Sequence, residues 1–300
     1  MDANLVEKIK KNIQKSGFPT ELYVLDVCST KNTGRMPNIR YVYQGEEREI
    51  DLLAFFEEIN PNPRGNANPQ YTTTNMVVEC KKAESKPWVF FSTSSFQRSG
   101  SLVHRTCYVS DFDLFFVHKG KHSLLGQIFK YLKENHYADM KIPTCISYCE
   151  AFKNPSSPSE IYKAVDSVLS FTSCEVGRRL KECEEVGFRT NFYYPIVVLE
   201  GDMVEAKVDR GNLLVEERDH IQLRVTYDHN LFVVDVVRKD HFDDFFELIQ
   251  KDHNEFVSSI GRINFPKSHR RALVERNKVK MREFKRRVPL DLYMGRREST

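Results

Sequence analysis

Several familiar signatures are missing from this 300-residue chain, and each absence excludes a class. No C-x-x-C pair occurs among the seven cysteines, at 28, 80, 107, 145, 149, 174 and 183. That odd set indicates neither a disulfide framework nor a zinc ribbon and points to reduced thiols. Cys145, Cys149, Cys174 and Cys183 read as small buried apolar groups rather than a thiolate site. No G-x-x-x-x-G-K-[ST] is present, which argues against an NTP-driven motor. No G-x-S-x-G elbow is present either, which argues against Ser-His-Asp chemistry. No apolar run approaches bilayer length, and Met1 to Lys8 has no signal-peptide core. The expectation is a soluble, cytoplasmic protein without a membrane partner. Charge is nearly balanced, 45 Lys and Arg against 42 Asp and Glu, so no bias for or against a polyanion partner can be read from the total.

What is there is unevenly placed. Residues 265–300 hold 12 Lys and Arg against 4 Asp and Glu, so the basicity is concentrated in a tail over 262–300. Lys267, Arg270, Arg271, Lys278, Arg282, Lys285, Arg286 and Arg287 suit contacts to phosphate, whose affinity falls with salt. A solvated helix or a partner-docking arm has equal standing from charge patterning alone.

Leu5, Val6, Ile9 and Ile13 at helical spacing predict an opening helix over 2–15, stopped at Gly17. Strands are expected over 21–28, 39–44 and 48–56, with a hairpin turn at Gln44-Gly45-Glu46-Glu47. Residues 57–74 read as a loop. A strand over 112–117 and a helix over 123–135 fall in a segment, 93–155, that reads as an insertion. A helix from 160, a doubly buried strand at 192–199, a strand over 203–208, a hairpin of 221–227 with 231–237, and a helix over 242–257 complete the expectation. His118 and His122 read as loop residues, as do Gln97 and Arg98.

Two positions break this pattern with charge. Asp51 interrupts the apolar stretch Ile50 to Phe56, and Glu79 ends Met76-Val77-Val78. On a pleated strand Glu79 and Lys81 share a face and Cys80 points away. A carboxylate in a buried strand needs a partner or a metal. Two of them repel unless a divalent cation neutralises them, and hard cations such as Mg²⁺ take few carboxylates plus waters and phosphate oxygens. A lysine beside that cation is placed to orient water and offset charge in the transition state. The bland alternative is a surface ion cluster. Glu49 reads as a solvated charge at the hairpin end.

Asp51 followed by Glu79-Cys80-Lys81, with 27 residues between, resembles the core of the PD-(D/E)xK nuclease superfamily. The resemblance runs from about residue 2 to 92 and more loosely to residue 199. It implies a restriction-endonuclease-like α/β fold: a mixed central β-sheet flanked by helices, in one domain over 1–261 with the insertion. It implies Asp51, Glu79 and the Cys80 main-chain carbonyl as ligands of Mg²⁺ or Mn²⁺, with Lys81 catalytic and Glu7 or Glu21 as a further acidic ligand. It implies hydrolysis of phosphodiester bonds in nucleic acid, DNA first, with further subunits left open. The chain departs from the pattern where Pro87-Trp88-Val89-Phe90-Phe91 follows the motif almost at once. This suggests that the motif strand turns back in a hairpin, and that the family helix is delayed to residue 160. A second reading is a catalytically inactive nuclease-fold module that binds nucleic acid or protein.

Overall fold

The computed structural model describes residues 2–31, 33–60, 70–83, 86–93, 107–110, 142–153, 159–182, 188–228 and 230–261. The basic tail, the expected strand at 112–117 and helix at 123–135, His118, His122, Gln97 and Arg98 all lie outside them.

Helix α1 (Ala3–Lys15) starts where the Asp2 carboxylate accepts from Asn4 N–H. Helix α2 (Phe18–Thr30) has Pro19 in its first turn and buries Val24, Val27 and Cys28. This corrects the expected strand at 21–28. The apolar run is rich in strand formers, but its buried positions recur at helical spacing and packing overrides local propensity. Strand β1 (Gly34–Tyr43) and strand β2 (Glu46–Asn60) form a hairpin closed by Gln44 and Gly45, both with positive φ, 52° and 82°. Strand β3 (Gln70–Lys82) pairs antiparallel with β2 from Leu52↔Val78 to Asn60↔Gln70. Much of the expected loop is therefore strand.

Strand β4 (Trp88–Ser92) does not fold back on β3. It pairs with strand β6 (Thr144–Glu150) and strand β8 (Met203–Asp209). The reason is a crossing after Lys82: Ala83 N–H donates to Glu200 O, and Trp88 N–H to Asp202 O. The close approach needs Gly201, whose φ is 153° and where a Cβ would lie 2.8 Å from that of Ala83. Strand β5 (Cys107–Ser110) pairs with strand β7 (Phe188–Glu200). So the segment read as an insertion contributes β5 and β6 to the main sheet.

Strand β7 also pairs in parallel with β3 over Gln70↔Phe188 to Lys82↔Glu200. All of its residues from Thr190 to Leu199 are buried, as the continuous apolar run predicts. Strand β9 (Asn212–Glu217), strand β10 (His220–Tyr227) and strand β11 (Asn230–Arg238) complete an 11-stranded mixed sheet, ordered β1-β2-β3-β7-β11-β10-β6-β4-β8-β9 with β5 beside β7.

Helices cover both faces. Helix α2 and helix α4 (Phe242–Gly261) pack Val24, Phe242, Phe246 and Phe256 onto Met76, Val78, Tyr194 and Val198. Helix α3 (Glu160–Glu182) packs Ile161, Ala164, Val165 and Val168 onto Val77, Tyr193, Val197 and Leu199. Its first turn is capped by Glu150, whose carboxylate accepts from Glu160 N–H at 2.6 Å. Each fully buried Val, Leu or Ile here contributes roughly 1.5–3 kcal/mol. No described helix is long and apolar enough to cross a membrane.

Candidate active site

The β2–β3 ladder stops at Leu52↔Val78, and the two strands separate beyond it. The cause is local. Asn38 on β1 has a φ of 51°, and the β1–β2 register skips the Asn38–Asp51 position between Pro37↔Leu52 and Ile39↔Ile50. Alternation of faces is lost there: Ile50 and Leu53 join the core under α3, while Leu52 and Ala54 join the core under α2 and α4. The Asp51 side chain takes over the pairing, its Oδ2 accepting from Cys80 N–H at 2.6 Å. In an extended strand the N–H and C=O of one residue point to the same neighbour. The Cys80 carbonyl therefore faces the same gap.

Glu79 and Lys81 stand on the α3 side, as the pleat requires. Lys81 Nζ donates to Glu79 Oε1 at 2.7 Å, and Ser167 Oγ on α3 donates to Glu79 Oε2 at 2.9 Å. Burial and the nearby Asp51 carboxylate push Glu79 up to about 7. Burial also raises Asp51, against the Cys80 N–H and the Lys81 charge that lower it. Burial works against the Lys81 charge, but the Glu79 contact and the Asp51 charge outweigh it, so the lysine is held more firmly protonated.

Glu21 reaches the same gap from α2. Its carboxyl is raised by burial and by Asp51. Helix α2 is held over the site at its start, where Thr20 Oγ1 donates to Glu200 Oε2 at 2.5 Å and Lys82 Nζ meets Glu200 Oε1 at 2.7 Å. A cleft of ≈ 280 Å³ opens alongside, walled by Glu21, Asp51, Leu52 and Cys80 together with apolar Ile13, Phe18, Leu22, Leu25 and Pro37. Phe18 and Leu22 remain exposed at its rim.

Of the residues expected from sequence, Glu21, Asp51 and Cys80 line the cleft, whereas Glu79 and Lys81 pair with each other on the α3 side of β3 and are not among its lining residues. Glu7 stands exposed on α1, outside the walls of the cleft. Glu49 is half exposed and meets Arg40 at 3.6 Å. Cys28 and Cys145 are buried free thiols, whereas Cys149 is exposed. Ser167 was not foreseen. Asp166 and Ser167 lie beside the apolar stripe of Ile161, Ala164, Val165 and Val168, where polar residues are ordinary on a helix, so the sequence carries no signal for it.

Among the described residues no group of three or more His, Cys, Asp or Glu side chains is arranged to hold a metal ion. The set here is smaller: two carboxylates and a main-chain carbonyl. These are hard oxygen donors, in the number that Mg²⁺ accepts when waters and phosphate oxygens supply the rest. Burial is the main cause of their raised proton affinities, with the Asp51 charge adding at Glu79; as hard oxygen donors the two carboxylates and the carbonyl fit a divalent cation by type. Comparison with protein-family models, curated proteins and solved structures finds no match to this chain.

Proposed function

We propose that the chain is a metal-dependent nuclease of the PD-(D/E)xK type, with a restriction-endonuclease-like core, hydrolysing phosphodiester bonds in DNA with Mg²⁺ or Mn²⁺. One observation carries the reading: where β2 parts from β3, the Asp51 carboxylate accepts from Cys80 N–H on the wall of an open cleft, while the adjoining Glu79 and Lys81 pair with each other near enough to feel its charge. Asp51, Glu79 and the Cys80 carbonyl would hold the cation, with Glu21 the further acidic group. When bound, such a cation lowers the pKa of water and acts as a Lewis acid toward phosphate.

The chain's own groups supply the remainder. The Lys81 ammonium neutralises charge on the oxygens of the scissile phosphate and orients the attacking water. Ser167 and Lys81 together hold the Glu79 carboxyl, so neither of its oxygens swings freely. Without a cation, burial and the Asp51 charge raise Glu79 to about 7; with a cation bound its carboxylate stays deprotonated, so loading releases protons near neutral pH. The basic residues Lys267, Arg270, Arg271, Lys278, Arg282, Lys285, Arg286 and Arg287 are proposed to grip the backbone.

The test is nicking of supercoiled plasmid in Mg²⁺, Mn²⁺ or EDTA by the parent, Asp51→Ala and Lys81→Ala, with circular dichroism verifying the fold. Cutting that needs the divalent ion and both side chains supports the reading. DNA binding without cutting, in any divalent ion, would instead favour the inactive module. Loss of binding on removing 266–300 alone would assign recognition to the tail.

A further inference from the structure

Strand β9 ends the sheet and pairs only with β8 among the described residues. The hairpin between them is tight: Asp209↔Asn212 closes on Arg210 and Gly211, with φ of 49° and 87°, the two-residue turn with both central residues left-handed. The closing pair of such a turn is hydrogen-bonded, so Asn212, Leu214 and Glu216 direct their backbone groups to β8. Leu213, Val215 and Glu217 then direct theirs outward.

Edges of this kind are normally blunted by lysine, proline, a bulge or a covering element. Here the outer strand reads Asn212-Leu213-Leu214-Val215-Glu216-Glu217, and Leu213 is 65% and Val215 58% exposed. Val208, across the hairpin from Leu213, is 64% exposed on the same face.

The strand is complementary to itself. Antiparallel pairing with a second copy about Leu214 sets Leu213 against Val215 and Leu214 against Leu214. It also makes 213↔215 the hydrogen-bonded pairs, which is where the outward groups are. Glu216 then faces Asn212, a neutral amide donor, so no like charges oppose each other. The other registers that keep the outward backbone groups paired do worse. Centring on Val215 puts Leu213 against Glu217 and Leu214 against Glu216, and centring on Leu213 runs the pairing into the turn. Glu216 keeps its own cations in any case, Lys207 at 3.2 Å and Arg218.

We propose that β9 pairs antiparallel with β9 of a second copy of this chain, about a two-fold axis at Leu214. The pairing is isologous and closed, so it makes a dimer and not a filament. It does not depend on the nuclease reading.

The test uses the full chain. Sedimentation equilibrium is expected to show a monomer–dimer equilibrium, and Leu213→Lys with Val215→Lys to raise its dissociation constant at least about tenfold by placing lysines beside one another at the pairing. In the central register the Leu214 Cα atoms face each other at a non-hydrogen-bonded position, about 4.5 Å apart and within disulfide reach. Oxidised Leu214→Cys is therefore expected to run as a covalent dimer beyond the level of the parent, whereas Leu213→Cys is not. A parent that stays monomeric up to ~100 µM, in the weak range of association constants, overturns the proposal. So does a dimer unaffected by the lysines, or equal cross-linking at 213 and 214. Capture of a different protein by β9 with no self-association also overturns it.

Discussion

Two buried glutamates in this sheet are built alike and left with different charge balances. Glu79 on β3 accepts from Lys81 and from Ser167. Glu205 on β8, 1% exposed, accepts from Arg218 at 2.8 Å and from Ser92. Each is a carboxylate, a serine hydroxyl and a cation. At Glu205 the neighbouring carboxylate, Glu216, lies toward the surface and meets both Arg218 and Lys207. At Glu79 the neighbour, Asp51, is itself largely buried and meets a main-chain N–H, and Glu21 adds a third acid around the one lysine. The first arrangement is closed. The second retains negative charge beside a cleft. Surplus charge, more than the presence of a buried ion pair, is what makes Glu79 the candidate for a reactive role and Glu205 the candidate for a structural one.

The comparison can be broken most sharply by activity. Lys81→Ala or Asp51→Ala is expected to slow plasmid nicking at least about 10²-fold, the scale of losing a positioned transition-state contact. Arg218→Ala is expected to nick at the parental rate per folded molecule, and a matching loss there would end the distinction. Stability should reverse the ranking. Removing Arg218 leaves Glu205 buried without its cation and is expected to cost about 3 kcal/mol in urea unfolding. Lys81→Ala should cost less at pH 6, because Glu79 can take up a proton.

A smaller effect lies in the pH dependence. Glu79 binds its proton more tightly folded, at about 7, than unfolded, at 4.5. The metal-free protein therefore loses stability from this group as pH rises from about 4.5 through about 7. Glu79→Gln is expected to remove that slope when unfolding is followed in EDTA between pH 4.5 and 8. The smallest change is expected at His253, which bonds Thr74 and stacks on Phe56 at 5.3 Å. Burial lowers it from 6.5 to about 4, so its contribution is lost as pH falls from 6.5 through 4, the opposite sign to Glu79. His253→Phe should flatten this acid limb in the same titration.

The pairing of Asp51 with Glu-x-Lys was legible because each residue interrupts an apolar strand, and alternation on β3 fixed which side chains share a face. The central part of β7, the β10–β11 hairpin and helices α3 and α4 were legible from unbroken runs, a short polar turn and helical spacing, while β7 begins at Phe188, four residues before the apolar run. Helix α2 was not, since Leu22-Tyr23-Val24-Leu25 carries strand formers and its helical period emerges only against Met76 and Val78. The destination of β4 was not legible either. It depends on the fit of Gly201 against Ala83, a contact between segments remote in sequence. Ser167 stayed hidden for the same reason, since nothing near it in the chain announces Glu79.

The long parallel register between β3 and β7 has a kinetic consequence. Residues 70–82 must find residues 188–200, and closing so distant a pair makes folding slow, while the β1–β2–β3 meander is local and can form first. A ribosome-bound chain would carry the motif strand with one edge unpaired until β7 emerges. That unpaired edge is where misassembly during synthesis would begin.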